Sequence, residues 1–317
     1  MKKYNVNFPE EIFTSNARKM HQWDHLDQNL RRISKEETDV LFCGIVRNGG
    51  KYLERNLQRL KHSASFFRES KMFIYENNST DNTKDILKEY EEINEYNLEV
   101  LSEDIEDADY KTHDDTFNRC TKIANARNKY MDVVEENHSK FPATVIVDLD
   151  LIGGWTYEGL YTNVVHLLNN GLFNGIAGVT SYGIITSKTP NWKKIDLESV
   201  PQQEHYMYDS FAFRPLEWFQ DEKESGKIKG LDKETQVSYN NIKRPSGNAM
   251  VGSNFGGLGI YKSKNIKDFR YRSQQYDDGS VQSDSEHVPF HRDIFNSGKK
   301  ISINNRLLVS YSPHRYT

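Results

Sequence analysis

The sequence predicts an α/β protein whose central, mostly parallel sheet is flanked by helices in a single domain. In the first half, short apolar runs typical of buried parallel strands alternate with longer segments whose apolar residues recur at helical spacing. This alternation implies right-handed crossover connections, which place successive strands parallel in one sheet. A chain of 317 residues, 36% of them hydrophobic, is long enough to bury one large core. Ligands of such sheets bind beyond the carboxyl ends of the strands.

The first strand and helix are read from residues 39–67. The run DVLFCGIV, residues 39–46, is continuous and apolar, as expected of a strand covered on both faces. In the following segment, GKYLERNLQRLKHSASFF, the residues Leu53, Leu57 and Leu60 recur at helical spacing between polar residues. We therefore predict a helix over 50–67 that covers the strand.

The next elements follow the same order. KMFIYENN, residues 71–78, is the second predicted strand, and NLEVLSE, residues 97–103, is the third. Between them TDNTKDILKEYEE, residues 80–92, predicts a helix capped by Thr80 or Asp81. These assignments extend the alternation to three strands.

A long helix and a fourth strand complete the predicted parallel region. The helix covers 115–138, and the strand TVIVDLDL covers 144–151. Asp148 and Asp150 stand at the end of this strand, where two carboxylates cost desolvation and mutual repulsion unless a cation offsets them. Hard carboxylate oxygens suit Mg²⁺ or Mn²⁺, and such ions are usually shared with substrate phosphates. A divalent cation is the expected partner of this pair.

Polar residues also end the first two strands. Arg47 follows the first strand, and Glu76 and Asn77 end the second. Because the ends of parallel strands meet at one edge of the sheet, we expect them near the two aspartates. Polar residues are common at strand ends and in turns, so each of them alone means little. Their coincidence at one edge of the sheet indicates a ligand-binding site.

Composition excludes several classes of protein. The formal charge of −4 and a pI near 6.2 argue against a nucleic-acid-binding protein, which needs clustered Lys and Arg. With only Cys43 and Cys120, the sequence supports neither a disulfide framework nor a zinc cluster. No apolar run is long enough to span a membrane, and no export signal is visible, so we expect a cytoplasmic protein.

Three segments of the first half resemble one enzyme family. IYENNSTDNT, IANARNKYMD and VIVDLDL resemble, in order and approximate spacing, motifs of glycosyltransferases with the GT-A fold, in particular the large inverting family that includes cellulose and hyaluronan synthases. The resemblance implies a GT-A fold and transfer of a sugar, a hexose in most such enzymes, from a UDP- or GDP-sugar to a glycan or glycoconjugate. It implies a nucleotide site in which Glu76 contacts the base or ribose and Arg127 holds the nucleotide. The same site would include Arg47, Asn77 and Asp81. Asp148 and Asp150 would bind the metal.

The second half resembles the closing portion of the same family. In SDSEHVPFH, Glu286 matches the first acid of an acidic pair that opens a helix, and His287 replaces the usual second acid. The resemblance implies that Glu286 deprotonates the acceptor hydroxyl, whose oxygen then attacks the anomeric carbon opposite the leaving diphosphate. Such an attack would invert the configuration of the sugar. His314, in YSPHR, fits a late metal-ligating histidine, and His287 and His291 have the spacing of a metal-binding pair on a helix.

A shorter segment resembles a second group of enzymes. YMYDSFAFRP is similar to a segment of fungal capsule mannosyltransferases, which implies that Asp209 contacts the donor sugar or the acceptor. That resemblance would favour GDP-mannose and retention of configuration, so the stereochemistry stays open.

The sequence leaves alternatives to a glycosyltransferase. GIVRNGGKYLERN could serve as the phosphate loop of a sugar-nucleotide pyrophosphorylase, and the chain could bind nucleotide sugars without turnover. A phosphatase of the haloacid dehalogenase type also uses D-x-D, but it usually has Thr or Val where this chain has Ile152.

We expect an N-terminal extension over 1–36, a nucleotide-sugar-binding half over 37–180 and an acceptor-binding half over 181–317.

Overall fold

A computed structural model describes residues 2–4, 6, 24–106, 116–169, 175–186, 205–276 and 283–311. Two predictions fall mainly or wholly outside these residues. They are the metal role of His314 and the partly helical N-terminal extension, of which the helix α1 (Asp24–Glu37) is described.

The first half shows the predicted alternation, and each predicted strand and helix has an observed counterpart. The apolar runs form the strands because their side chains are covered on both faces. The elements after α1 are, in chain order, β1 (Asp39–Val46), α2 (Leu53–Ala64), β2 (Glu69–Asn77), α3 (Thr83–Glu91), a 3-10 turn (Asn94–Tyr96), β3 (Leu98–Glu103), α4 (Thr116–Asn137) and β4 (Ala143–Val147).

The second half adds strands to the same sheet and packs helices against it. Its described elements are β5 (Gly154–Trp155), α5 (Tyr157–Leu168), β6 (Ile176–Thr186), β7 (His205–Met207), β8 (Arg214–Pro215), α6 (Leu216–Ser225), α7 (Lys233–Tyr239), β9 (Asn248–Ser253), β10 (Leu258–Lys262), α8 (Ser263–Ile266), α9 (His287–Asn296) and β11 (Lys300–Tyr311).

The sheet is mixed, but most of its strands share one direction. The strand order is β3-β2-β1-β4-β10-β6-β11-β9-β8, with β5 paired to β11 and β7 paired to β6. Strands β3, β2, β1 and β4 are mutually parallel, and β6 pairs parallel with β11. Along the main order, β10 and β9 oppose the common direction among the described strands. The predicted fold class, α/β with a mostly parallel central sheet and flanking helices, is confirmed.

The fourth strand ends directly before the two aspartates. They were expected at its end, and β4 ends at Val147, with the chain turning at Leu149 and Asp150. The carbonyls of Leu149 and Leu151 accept hydrogen bonds from Asn56 of α2, which replaces sheet pairing. Asp148 and Asp150 therefore lie on a turn beyond the strand.

The predicted boundary between the two halves lies within a strand. Residue 180 belongs to β6, which pairs with β10 and β11 of the second half. Whether the halves divide the work between donor and acceptor stays a prediction.

The longest described helix, α4, has 22 residues and only one buried face. Cys120, Ala124, Arg127, Tyr130 and Met131 lie on that face. Across the residues that the structure describes, no helix is long and apolar enough to cross a membrane.

Candidate functional site

A cavity of about 380 Å³ lies beyond the carboxyl ends of β1, β2 and β4. It is the place where the strand-end residues were expected to meet. Seven of the residues that line it were predicted from the sequence: Arg47, Asn77, Arg127, Asp148, Asp150, Asp209 and Glu286. The topology brings these residues together from both halves of the chain.

Arg127 lies on the buried face of α4 and joins two of the acids. Its Nε donates to Oε1 of Glu286 at 2.8 Å, and its Nη2 donates to Oδ1 of Asp148 at 3.2 Å. The guanidinium carbon also lies 5.0 Å from the centre of the Phe255 ring. Arg127 is only 5% exposed, so its charge is available to both carboxylates with little screening by water. It fixes the distance between the end of β4 and the start of α9.

Two carboxyl groups in the cavity, those of Asp148 and Asp209, resist ionisation. Burial raises the pKa of Asp148, Arg127 opposes that effect, and the nearby Asp150 raises it again, to about 7. Burial and the charges of Asp148 and Glu286 raise the pKa of Asp209 to about 8. Like charges held together in a place of low polarity disfavour the charged form. A cation entering the cavity would be attracted by this charge.

These raised pKa values predict that the protein loses stability as the pH rises. The folded state holds protons on Asp148 and Asp209 that the unfolded chain releases near pH 4, so the free energy of unfolding should fall between about pH 4 and pH 8. Each group can contribute up to about 1.4 kcal/mol per pH unit within its window. Urea unfolding at pH 5 to 9 should show a shallower fall for Asp209→Asn than for the wild type. Equal slopes in the two proteins would contradict the assignment.

Asp209 is held in a strained backbone conformation at the cavity wall. Its φ of 64° lies in the left-handed region, which costs energy for a residue with a side chain. Oδ2 accepts a long hydrogen bond of 3.4 Å from the Gly256 N–H. The neighbouring Tyr208 ring stacks on Tyr311, with ring centres 4.3 Å apart. Strain of this kind is often found at functional sites, and the role of Asp209 stays a prediction.

Glu286 directly precedes α9 and is followed by a buried histidine. The ring of His287 stacks on Phe255 at 3.9 Å between centres, and both ring nitrogens are buried without a hydrogen-bond partner. Burial and the charge of Arg127 lower the pKa of His287 well below its ordinary value, so the ring is neutral. Glu286 is therefore the one carboxylate at the position where the family that the sequence resembles has an acidic pair.

His291 has a structural role in this fold. Its Nδ1 lies 2.9 Å from the Ser253 hydroxyl, and its Nε2 lies 2.9 Å from the Tyr261 hydroxyl. Burial lowers its pKa to about 3. Both ring nitrogens are occupied, so the expectation of a metal-binding pair with His287 does not fit this arrangement.

Glu76 faces its own loop. Its Oε1 accepts a hydrogen bond from the Ser79 N–H at 2.7 Å, and its Oε2 accepts one from the Ser102 hydroxyl. The side chain is fully buried at the end of β2, next to Asn77 in the cavity wall. A contact between Glu76 and a nucleotide stays a prediction.

Asp81 links two loops through hydrogen bonds to their main chains. Its Oδ2 accepts from the Gly50 N–H at 3.0 Å, and its Oδ1 accepts from the Thr83 N–H at 3.0 Å. Burial raises the pKa of Asp81, but these bonds and one from the Thr83 hydroxyl outweigh it and lower the pKa below its ordinary value. Asp81 thereby positions the loop that begins with Arg47.

A buried charge network behind Glu286 was not predicted from the sequence. Arg214 pairs with Asp284, and both side chains are fully buried. Arg292 of α9 donates to Glu222 of α6 at 2.7 Å and reaches Asp284 at 3.5 Å. The signal was present in SDSEH, where a second acid stands two residues before Glu286. The network holds the segment that leads into α9.

The residues fit a divalent cation that is shared with a ligand. Among the described residues, no group of three or more His, Cys, Asp or Glu side chains is arranged to hold a metal by itself. Mg²⁺, however, is usually bound by one or two carboxylates together with substrate phosphates. Asp148 and Asp150 supply two such groups, and the charge of Asp150 contributes to the raised pKa of Asp148.

No known protein-family model and no curated protein matches the chain. Its structure is similar to that of mannosyltransferase PcManGT from Pyrobaculum calidifontis, solved with GDP-Man and Mn²⁺, at 13% identity and a TM-score of 0.45, over 95% of this chain and 68% of that one. It is also similar to S. aureus TarS 1-349 in complex with UDP, at 12% identity and a TM-score of 0.46, over 88% of this chain and 62% of that one.

A third similar structure is GalNAc-T7 with UDP, GalNAc and Mn²⁺. Its identity is 13% and its TM-score 0.46, over 98% of this chain and 56% of that one. The chain thus spans less than two thirds of the TarS fragment and of GalNAc-T7. The first of these neighbours is a mannosyltransferase, and all three were solved with a nucleotide or a nucleotide sugar. The activity, donor and metal of this chain have to be inferred from its own residues.

Proposed function

We propose that this protein is a metal-dependent glycosyltransferase that moves a hexose from a nucleoside-diphosphate sugar to a hydroxyl of a glycan or glycoconjugate. The observation that carries the proposal is the meeting of Asp148, Asp150, Asp209 and Glu286 in one cavity at the carboxyl ends of the parallel strands. Four carboxyl groups line this cavity together with three arginines, which favours a cation as a partner of the acids. Two of the four follow a strand in the D-x-D order of the family that the sequence resembles.

The donor would lie against the ends of β1, β2 and β4. In the proposal, Asp148 and Asp150 hold Mn²⁺ or Mg²⁺, and Arg47 and Asn77 contact the nucleotide. A bound divalent ion would supply positive charge opposite the departing diphosphate. Arg127 keeps the end of β4 fixed against Glu286, which supports the site from behind. Glu76 would contact the base or ribose, and Asp81 would position the loop of Arg47.

The acceptor would lie on the side of α9. In the proposed reaction, Glu286 takes the proton of the acceptor hydroxyl, the acceptor oxygen forms a bond to the anomeric carbon, and the bond from that carbon to the diphosphate breaks. The position of Glu286 in the cavity wall supports this role. Asp209 would contact the donor sugar or the acceptor. Attack opposite the diphosphate would invert the configuration.

A pyrophosphorylase is less well supported. Its phosphate loop would need free backbone N–H groups, but those of Asn48, Gly49 and Gly50 donate to side chains of Ser79, Thr83 and Asp81 at 2.9 to 3.0 Å. The loop that could have held phosphates is thus already bonded to its neighbour. A protein that binds nucleotide sugars without turnover would keep the same cavity, and only an assay of transfer separates it from the enzyme.

Ligand-induced stabilisation tests the proposal. The melting temperature should rise with UDP or GDP, or with their sugars, in the presence of Mn²⁺, because a ligand of the folded state stabilises it by about 2.7 kcal/mol at 100 times its Kd. The preferred nucleotide identifies the donor class. Glu286→Gln should keep this shift and lose transfer. A wild type that responds to neither UDP nor GDP, with or without Mn²⁺, would refute the proposal.

A further inference from the structure

Helix α2 presents a buried polar stripe to the chain that follows β4. Asn56, Arg59 and Ser63 are spaced three and four residues apart, so they lie on one face of the helix. Their exposed fractions are 0%, 5% and 0%. Buried polar groups cost free energy unless they are hydrogen-bonded, and a helix face turned to the core is ordinarily apolar. The partners of this stripe therefore indicate its purpose.

Asn56 bonds to the main chain on both sides of Asp150. Its Nδ2 donates to the carbonyl of Leu149 at 2.7 Å and to the carbonyl of Leu151 at 2.9 Å. Both protons of the amide are used, and the two accepting carbonyls belong to the residues that flank Asp150. The Leu149–Asp150 and Leu151–Ile152 peptide groups are thereby fixed to α2, which holds the main chain that carries the Asp150 side chain.

Arg59 extends the contact by one residue and holds Asn56. Its Nη1 donates to Oδ1 of Asn56 at 2.7 Å, and both of its terminal nitrogens reach the carbonyl of Ile152 at 3.3 Å. Burial lowers the pKa of Arg59 to about 10. Gly154, with a φ of 88°, permits this approach, since a Cβ there would lie 2.7 Å from Nε of Arg59.

We infer that Asn56 is a positioning residue for Asp150, held in its rotamer by Arg59. The inference rests on the proposed function, because the purpose of fixing Asp150 is to present its carboxylate to a divalent cation beside Asp148. Groups that orient metal ligands typically change metal affinity by about 10- to 100-fold when they are removed. Neither residue lines the cavity, so the effect of Asn56 on Asp150 is transmitted through the main chain of 149–152.

The test is the isosteric change Asn56→Asp. It keeps the size of the side chain and the bond to Arg59 but removes both donors to the carbonyls. We expect Mn²⁺ affinity in the presence of saturating UDP or GDP, measured by counting free Mn²⁺ with electron paramagnetic resonance, to fall at least about tenfold. Hydrogen exchange of the amides of 148–153 should become faster in the protein without ligands. If the variant does not fold, Asn56→Ala removes the donors without adding a charge, and the same comparison applies.

Ser63→Ala is the matched control on the same helix face. Ser63 accepts from Nε1 of Trp155 at 3.0 Å and donates to the carbonyl of Arg59 at 2.8 Å, so its loss should lower the melting temperature. Mn²⁺ affinity should stay within about twofold of the wild type, because the donors of Asn56 remain.

Two results would overturn the inference. One is a variant at Asn56 that binds Mn²⁺ as tightly as the wild type, and the other is unchanged exchange over 148–153. A wild type that binds no Mn²⁺ with either nucleotide would instead refute the proposed function, and the exchange rates would still decide whether Asn56 fixes this turn.

Discussion

Asp150→Asn should reduce Mn²⁺-dependent transfer, or hydrolysis of the donor, on the order of 10³-fold while leaving the protein folded. The reason is that a divalent ion contributes several kcal/mol to stabilising developing charge, and about 1.4 kcal/mol corresponds to a factor of ten. The amide keeps the size of the side chain but removes one negative charge. Asp148→Asn should have a similar effect on transfer. Its effect on folding is less simple, because Asp148 also accepts from Arg127 at 3.2 Å.

The measurement is the rate of nucleotide release from the donor over a range of Mn²⁺ concentrations. A higher Mn²⁺ requirement in Asp150→Asn would locate the defect in binding of the ion. Asp221→Asn is the matched control, because Asp221 is an exposed acid of α6 outside the cavity. Wild-type activity in both Asp148→Asn and Asp150→Asn would rule out the metal assignment.

The position of the aspartates was predictable because it depends on local pattern. The run TVIVDLDL is apolar up to the acids, and a parallel strand buried on both faces must end where charge begins. The same reasoning placed Arg47 and Asn77 at the cavity. Where the strand would stop was not predictable to the residue, since the turn after Val147 depends on Asn56, which is 93 positions from Leu149.

Ion pairs between residues far apart in the sequence were much harder to predict. Arg127 and Glu286 are 159 positions apart, and their contact depends on how α9 packs over the sheet. Asp132 and Glu135 follow Arg127 on the same helix, but the structure pairs those acids with Arg270. A surface pair on one helix and a buried pair between elements look alike in sequence. Only the buried face of α4 separates them.

Several acids surround one buried arginine in this cavity, which should lower the stability of the folded protein when no ligand is bound. Asp148 and Glu286 share Arg127, and their charges together with burial raise the pKa of Asp209 in the same cavity. Functional sites often hold like charges that lower the stability of the free protein and that a bound ligand neutralises. Bound Mn²⁺ with a nucleotide should therefore stabilise the protein more at pH 8 than at pH 5, where Asp148 is protonated.

Arg127→Met should destabilise the protein by about 3 to 5 kcal/mol, the usual cost of removing one partner from a buried ion pair. Methionine fills much of the volume, but it leaves Glu286 and Asp148 without the cation they share. The loss should be larger at pH 8 than at pH 5, because the raised pKa of Asp148 lets it bind a proton at the lower pH. Urea unfolding at both values measures the difference.

The double variant Arg127→Met/Glu286→Gln separates charge from packing. If the uncompensated carboxylate is the main cost, removing its charge should recover part of the lost stability, and the two changes should not be additive. Arg270→Met is the matched control, because its pairs with Asp132 and Glu135 lie at the surface, where such pairs contribute about 0 to 1 kcal/mol. An Arg127→Met variant no less stable than Arg270→Met would show that Arg127 does not hold the two acids together. Arg127 is therefore the side chain whose loss most directly tests whether this cavity is built around opposed charges.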